Sequence, residues 1–242
     1  MPSRVQASNP AVSLQLGRCQ SDTAFRKSAH SSKSHRAVGI VPRAQDKAAE
    51  QHVPEHKVLF VCLGNICRSP SAEAVFKDVV KRAGLLSSFH IDSCGTGGGN
   101  ENWFTKDGWS YHMGYPADDR MISHAAKRNI ELTSKSRPLV AQDMIDYDYI
   151  IAMDADNVAQ IQLAADHWIV NMPESVPRDY RKKVKLMTSF LRSPKYKDKY
   201  DEVPDPYFGG EKGFELVLDL LDDACEGLLA DIQPRGSKPL VA

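Results

Sequence analysis

Short apolar runs and helically spaced apolar residues alternate along most of the chain. Residues 57–61, Lys-Val-Leu-Phe-Val, form a continuous run that is typical of a strand buried on both faces. After a short loop, Ser69 and Pro70 supply a favoured N-cap and a favoured first helical residue, and Gly84 marks the end of the predicted helix. The apolar residues between them recur on one helical face: Ala72, Val75, Phe76, Val79 and Val80.

The same alternation continues toward the C-terminus. Further strands are predicted at 90–93, 149–153 and 184–187, helices at 118–129 and 155–165, and a solvated loop at 192–202. The last helix has the clearest apolar face, formed by Phe214, Val217, Leu218, Leu221, Ala224, Cys225, Leu228 and Leu229. This order predicts an α/β fold, a doubly wound four-stranded parallel sheet with helices on both faces, in a single domain. Ligands of such sheets bind at the carboxyl ends of the strands.

Residues 1–55 show neither the helical nor the strand periodicity of apolar residues, and they are rich in Ser, Ala, Arg and Lys. We expect a disordered segment, because its composition buries too little apolar surface to offset chain entropy. Basic, Ser-rich and acid-poor composition is typical of an organelle transit peptide, which predicts a chloroplast location, with the mitochondrion or the cytoplasm as alternatives. The folded domain is predicted at 56–233, followed by a flexible tail at 234–242.

The overall charge and cysteine content exclude several classes of protein. The formal net charge is zero, so nothing in it favours nucleic acid or a membrane surface, and no apolar run approaches the length of a membrane helix. Five cysteines without disulfide-like spacing argue against a stapled secreted domain. The zero charge conceals an asymmetry, because residues 1–44 carry a net +6 that the remainder balances with −6.

The loop after the first strand carries the candidate chemistry, with the sequence Cys-Leu-Gly-Asn-Ile-Cys-Arg-Ser-Pro at 62–70. A strand enters this loop and a helix leaves it, so unpaired N–H groups and a partial positive charge are available for an anion. Gly64 and Asn65 tolerate the left-handed backbone of a tight cradle, and Arg68 adds a fork for two phosphate oxygens. Cys62 at the mouth of such a cradle is predicted to be a nucleophilic thiolate. Ser69 can cap the helix and donate a hydrogen bond to the sulfur.

Other readings of this loop have less support. A buried structural cysteine is the ordinary interpretation of a lone Cys, but the complete string C-x5-R-S-P at a strand-to-helix turn favours catalysis. The chain has no G-x-x-x-x-G-K-[ST] sequence, so nucleotide binding is not indicated. Cys62 and Cys67 make a poor metal pair, because no second pair follows at finger spacing.

The string VLFVCLGNICRSPSAEAVF resembles the signature of the low-molecular-weight protein tyrosine phosphatase family. The distant Asp205-Pro206-Tyr207-Phe208 is similar to the acid loop of that family, and the similarity covers about 57–232. The resemblance implies hydrolysis of phosphotyrosine and aryl phosphomonoesters through a phosphocysteine intermediate. Cys62 is then the nucleophile, and Asp205 is the general acid and later the base.

The same resemblance assigns the remaining site residues. The expected phosphate-binding loop consists of Leu63, Gly64, Asn65, Ile66, Cys67, Arg68 and Ser69, with its N–H groups on the equatorial oxygens. Ser93 is expected to support Asn65, and Cys67 to protect Cys62 by reversible disulfide formation. Tyr207 and Tyr111 are the expected aromatic walls of the cleft, with Trp109 as a rival to Tyr111, because 97–108 looks like an insertion.

The resemblance implies no metal or cofactor, and a monomer that acts on a phosphotyrosine protein or a small aryl phosphate. Asp154 and His112 are expected at solvated or supporting positions. Two other reactions use the same fold: thiol-dependent arsenate reduction, which needs cysteines outside the loop, and phosphoarginine hydrolysis, whose enzymes carry Thr where Ile66 stands. A phosphopeptide-binding module or a redox sensor without turnover is the alternative from another class, and the presence of Cys62, Arg68 and Asp205 argues against it.

Overall fold

The computed structural model describes residues 54–207 and 209–233. The predicted transit segment at 1–55 and tail at 234–242 therefore lie almost wholly outside the described residues. Within the described part, no helix is long and apolar enough to cross a membrane. The strands are β1 His56–Cys62, β2 Phe89–Gly95, β3 Tyr149–Ala152 and β4 Val184–Leu186. The α-helices are α1 Arg68–Arg82, α2 Asp119–Ala126, α3 Ala141–Asp146, α4 Ala155–Asn171, α5 Pro194–Lys197 and α6 Gly210–Ile232.

The four strands form one parallel sheet in the order β2-β1-β3-β4, as the alternation of apolar patterns predicts. β1 is central, and its side chains alternate between the two faces. Val58 and Phe60 pack with α1, α2 and α6 on one face, whereas Leu59 and Val61 pack with α3 and α4 on the other. This two-sided burial is why β1 is a continuous apolar run.

Parallel pairing brings the carboxyl ends of the strands to one edge of the sheet. Cys62, the last residue of β1, is paired in register with Gly95, the last residue of β2. A side chain on Gly95 would put its Cβ only 2.9 Å from the carbonyl oxygen of Leu63, so the absence of a side chain lets the loop after β1 fold against β2. The loop with the candidate chemistry therefore lies at the expected edge.

One local prediction was wrong, and one helix was missed. The predicted solvated loop at 192–202 contains α5, where Tyr196 is buried and its hydroxyl lies 3.3 Å from a carboxylate oxygen of Asp219 on α6. Two tyrosines, Tyr196 and Tyr200, among charged residues are too few for a periodic signal to reveal this packing. The helix α3 was also missed, because it has only six residues and begins at Ala141 without a polar side-chain cap.

Candidate active site

Residues 63–67 connect the central strand to the first turn of α1. The carbonyl oxygens of this loop accept hydrogen bonds from residues outside it: Thr96 and Gly98 donate to Leu63, Ser136 to Gly64, Asp118 to Ile66, and Ser71 to Cys67. A planar trans peptide points its N–H opposite to its C=O, so the N–H groups that follow these carbonyls turn toward the cleft. The N–H of Asn65 is one of them, and it lies 3.2 Å from the Cys62 sulfur.

The Cys62 sulfur lies at the N-terminal end of α1. It receives the N–H of Asn65, and its distance to the hydroxyl oxygen of Ser69 is 3.1 Å. The predicted capping role of Ser69 was wrong, because α1 begins at Arg68 and no side chain caps it. Ser69 lies inside the first turn, where its hydroxyl faces both the sulfur and the carbonyl oxygen of Cys94. The partial positive charge of the helix end and the N–H of Asn65 therefore both face the sulfur.

Asn65 braces the loop with its side chain. It has a left-handed backbone with a φ of 52°, and its amide nitrogen donates to Ser69 and Ser93, each at 2.9 Å. Its amide oxygen accepts the backbone N–H of Arg137 at 2.9 Å. The structure thus brings Asn65 and Ser93 together as the sequence predicts. The prediction for Gly64 was wrong, since Gly64 is not among the residues with positive φ.

Arg68 is almost fully buried, and its guanidinium is held on several sides. One terminal nitrogen donates to Asp154 at 2.5 Å and to the carbonyl oxygen of Val203 at 3.1 Å, and the other donates to Asp205 at 3.3 Å. Burial by itself lowers the pKa of Arg68, but the negative charges of Cys62 and Asp154 outweigh burial and raise it. Arg68 is thereby a fixed positive charge at the cleft.

The catalytic cleft has a volume of about 260 Å³. The residues that line it come from the loop, the segment after β2 and the acid loop: Cys62, Leu63, Gly64, Ile66, Cys67, Arg68, Gly98, His112, Asp205 and Tyr207. The predicted nucleophile, phosphate-binding arginine and general acid therefore share one cleft. Such a volume suits a phosphate with one aromatic ring rather than a large cofactor.

The two predicted wall residues differ in position. Tyr207 lines the cleft, and the guanidinium of Arg120 lies 4.9 Å from the centre of its ring. Tyr111 does not line the cleft; its exposed ring packs against Trp109 with the centroids 4.3 Å apart. His112 lines the cleft instead. Its ring lies close to Gly64: a Cβ on Gly64 would come within 3.1 Å of the His112 ring.

Three comparisons agree with this geometry. The family model of the low molecular weight phosphotyrosine protein phosphatases matches residues 57–238. The chain is 38% identical to the low molecular weight phosphotyrosine protein phosphatase of Schizosaccharomyces pombe, over 69% of this chain and 90% of that protein. It is 35% identical to the low molecular weight protein-tyrosine-phosphatase YfkJ of Bacillus subtilis, over 73% of this chain and 95% of that protein.

A solved structure of a protein tyrosine phosphatase from Entamoeba histolytica is 41% identical, with a TM-score of 0.59. The match covers 73% of this chain and 96% of that chain. The chain belongs to the low molecular weight phosphotyrosine protein phosphatase family. It is therefore a protein-tyrosine phosphatase, a hydrolase of phosphoric monoesters, and the resemblance seen in the sequence is confirmed.

The phosphatase also uses residues that the sequence did not reveal. Ser93, which accepts from Asn65, donates to the buried carboxylate of Glu73 at 2.6 Å. Glu73 also accepts from Lys77 at 2.5 Å. The hydrogen bonds that begin at Asn65 therefore lead to a charged carboxylate. Asp154, expected only at a supporting or solvated position, pairs directly with Arg68. The sequence could have indicated that Glu73 is buried, because it lies three residues before Phe76 and so on the apolar face of α1.

The cysteines of the phosphatase differ in environment. Cys62 and Cys67 are free thiols that line the same cleft. Burial, together with the charges of Asp118 and Cys62, raises the pKa of Cys67 well above its ordinary value. Burial also raises the pKa of Cys94 and Cys225, which lie in the core. These three thiols therefore stay protonated at neutral pH and are poor nucleophiles.

We predict that Asn65→Ala lowers kcat/KM for para-nitrophenyl phosphate by about 10- to 100-fold, because buried partners lose hydrogen bonds. Asn65→Gly restores the left-handed backbone but not the bonds, so it should recover only part of the loss. Asn129→Ala is the matched control, since Asn129 also has a left-handed backbone, with a φ of 60°, outside the cleft. Wild-type turnover by Asn65→Gly would show that the side-chain bonds contribute nothing.

Proposed function

We propose that this phosphatase hydrolyses phosphotyrosine and aryl phosphomonoesters through a phosphocysteine intermediate on Cys62. One observation carries the proposal: the Cys62 sulfur, the Arg68 guanidinium and the Asp205 carboxylate line a single cleft at the N-terminus of α1. A dianionic phosphate group fits there, because backbone N–H groups and one fixed cation converge on it.

In the first step the Cys62 thiolate attacks phosphorus. A sulfur–phosphorus bond forms, the bond from phosphorus to the aryl oxygen breaks, and Asp205 gives its proton to that oxygen. A phenol leaves and phosphocysteine remains. Arg68 and the N–H groups of the loop stabilise the charge on the equatorial oxygens. The side chain of Asp205 is 44% exposed, so it can meet a leaving group that points out of the cleft.

In the second step Asp205, now ionised, takes a proton from water. The water oxygen attacks phosphorus, the sulfur–phosphorus bond breaks, and inorganic phosphate and the Cys62 thiolate are released. The hydroxyl of Ser69, 3.1 Å from the sulfur, donates to the departing thiolate and stabilises it. Cys62 is thereby regenerated without a metal or a cofactor.

The contact between Arg68 and Asp205 supports an ordered exchange of partners. The distance between them is 3.3 Å, and the nitrogen that contacts Asp205 is not the one that Asp154 holds. A bound phosphate competes with Asp205 for that nitrogen, whereas Asp154 keeps the other nitrogen in place. Release from Arg68 leaves the Asp205 carboxyl free to face the leaving group in the first step.

The aryl group is proposed to lie between the aromatic side chains at the mouth of the cleft. Tyr207 lines the cleft and lies two residues from Asp205. Tyr111 lies next to Gly98, which lines the cleft: a Cβ on Gly98 would come within 3.1 Å of the Tyr111 Cβ. A flat ring stacked on these side chains favours phosphotyrosine over aliphatic phosphates.

We predict that Cys62→Ser abolishes turnover of para-nitrophenyl phosphate, because serine is not ionised at neutral pH, while the variant still binds orthovanadate. Wild-type turnover should be insensitive to chelators and blocked by orthovanadate. Cys225→Ala removes a buried thiol outside the cleft and should stay within about twofold of wild type. Turnover by Cys62→Ser at the wild-type rate would remove Cys62 as the nucleophile.

We predict that Asp205→Ala lowers kcat by about 100- to 10,000-fold for phenyl phosphate, which has a poor leaving group. The loss should be far smaller for para-nitrophenyl phosphate, whose leaving group needs little protonation. Asp201→Ala is the control, since Asp201 is exposed on the same segment and does not line the cleft. Equal losses for the two substrates would exclude Asp205 as the general acid.

We also propose that residues 1–55 deliver the phosphatase domain to the chloroplast. The proposal rests on the basic, acid-poor composition and on the start of the family match at residue 57, which leaves the segment outside the catalytic domain. A fluorescent protein fused behind residues 1–55 should accumulate in plastids. Fluorescence in mitochondria or the cytoplasm would select one of the alternatives.

The phosphatase is proposed to act as a monomer on phosphotyrosine-containing proteins or small aryl phosphates. The described residues place the nucleophile, arginine and general acid in one chain, so the catalytic cleft needs no second copy.

A further inference from the structure

The segment from Gly97 to Tyr115, here called the aromatic loop, exposes an unusual amount of apolar surface. More than half of the surface of each of four neighbouring side chains is exposed: Trp109, Tyr111, Met113 and Tyr115. Isolated exposed apolar residues are ordinary in soluble proteins, but a contiguous group of them marks a binding surface. This loop also contains the stretch at 97–108 that looks like an insertion in the sequence.

The aromatic loop is firmly attached to α4. Trp103 is buried, its indole nitrogen donates to Gln160 at 3.3 Å, and its ring packs edge-on against Trp168 at 6.1 Å. The indole nitrogen of Trp168 in turn donates to the carbonyl oxygen of Phe104 at 2.9 Å. A platform that is already ordered loses little conformational freedom when a partner binds.

A second cleft of about 790 Å³ lies between the aromatic loop, the start of α3 and the end of α4. Its lining is mainly apolar and includes Trp103, Trp109, Met113, Val140, Trp168 and Met172. Lys106, Asp107 and His167 are the charged or titratable residues among the lining. This docking cleft has the size and the composition to accept a large apolar side chain.

The docking cleft and the catalytic cleft share one wall. His112 lines the catalytic cleft, and the next residue, Met113, lines the docking cleft. Trp109 lines the docking cleft and packs on Tyr111, which lies against Gly98 of the catalytic cleft. The clefts are therefore neighbours across a ridge of a few residues. An extended chain advances about 3.3–3.6 Å per residue, so a few residues suffice to cross it.

We propose that the docking cleft binds an apolar side chain of a polypeptide substrate, a few residues away from the phosphotyrosine that occupies the catalytic cleft. The inference rests on the proposed function, which it extends from aryl phosphates to one class of phosphoprotein. The occupant is polypeptide because only a chain reaches both clefts, and it is apolar because the lining offers few polar partners. A small aryl phosphate does not use this surface.

The test compares phosphotyrosine peptides that carry leucine or aspartate at each flanking position, with the full-length chain. At one position we expect kcat/KM for the leucine peptide to exceed that for the aspartate peptide by about tenfold, as burial of one leucine side chain predicts. The double variant Val140→Lys/Met172→Lys should lose this preference and accept the aspartate peptide at least as well, since lysine attracts the acid.

Para-nitrophenyl phosphate provides the internal reference, because it reaches only the catalytic cleft. Its kcat/KM should stay within about twofold of wild type in the double variant. Leu163→Lys is the matched control: Leu163 is similarly exposed on α4 but does not line the docking cleft. This control should keep the leucine preference.

Three results would overturn the inference. Equal kcat/KM across the peptides, with phosphotyrosine still hydrolysed, would refute the docking cleft and leave the proposed function intact. Turnover of para-nitrophenyl phosphate without turnover of any peptide would refute the docking cleft together with the phosphotyrosine part of the proposed function. A wild-type dimer that the double lysine variant converts to a monomer in sedimentation would show that a second copy, not a substrate, covers this cleft.

Discussion

The outward direction of the carbonyl oxygens in residues 63–67 is the constraint on which the whole site depends. Donors just after β2, in the aromatic loop and in the segments before α2 and α3 hold the oxygens of Leu63, Gly64 and Ile66, so the N–H groups that follow them turn inward. An anion site built from backbone groups needs no particular side chains at most of its positions, but it needs every surrounding element in place. The parallel sheet supplies that placement, because the ends of its strands meet at one edge.

Electrostatics then give this cradle its chemistry. Arg68 is buried next to Asp154, which holds the guanidinium in one orientation and offsets part of the cost of burying its charge. The second acid, Asp205, is more exposed and more weakly attached, so it is free to exchange its partner when phosphate binds. Two carboxylates on one arginine thus differ in use: Asp154 positions the cation, and Asp205 is the proposed carrier of the proton.

The aromatic loop shapes the surface next to the catalytic cleft and does not change the residues proposed to carry out the reaction. Its tryptophans are anchored on α4, and its exposed side chains lie next to the catalytic cleft. A phosphatase whose catalytic cleft recognises little more than an aryl phosphate gains selectivity only from contacts outside that cleft. A rigid apolar surface is suited to this because it adds binding at low entropic cost.

The sequence by itself determined the sheet, most helices and the three catalytic candidates, because two-sided burial, helical spacing and a compact loop motif are local signals. Tertiary structure alone decided the contact of Asp154 with Arg68, the link from Asn65 to Glu73, and the exchange of Tyr111 for His112 in the cleft lining. The first two features join residues that are far apart in the chain, and the third depends on the path of one loop. Spacing along a sequence carries no information about such distances, because packing of separate elements sets them.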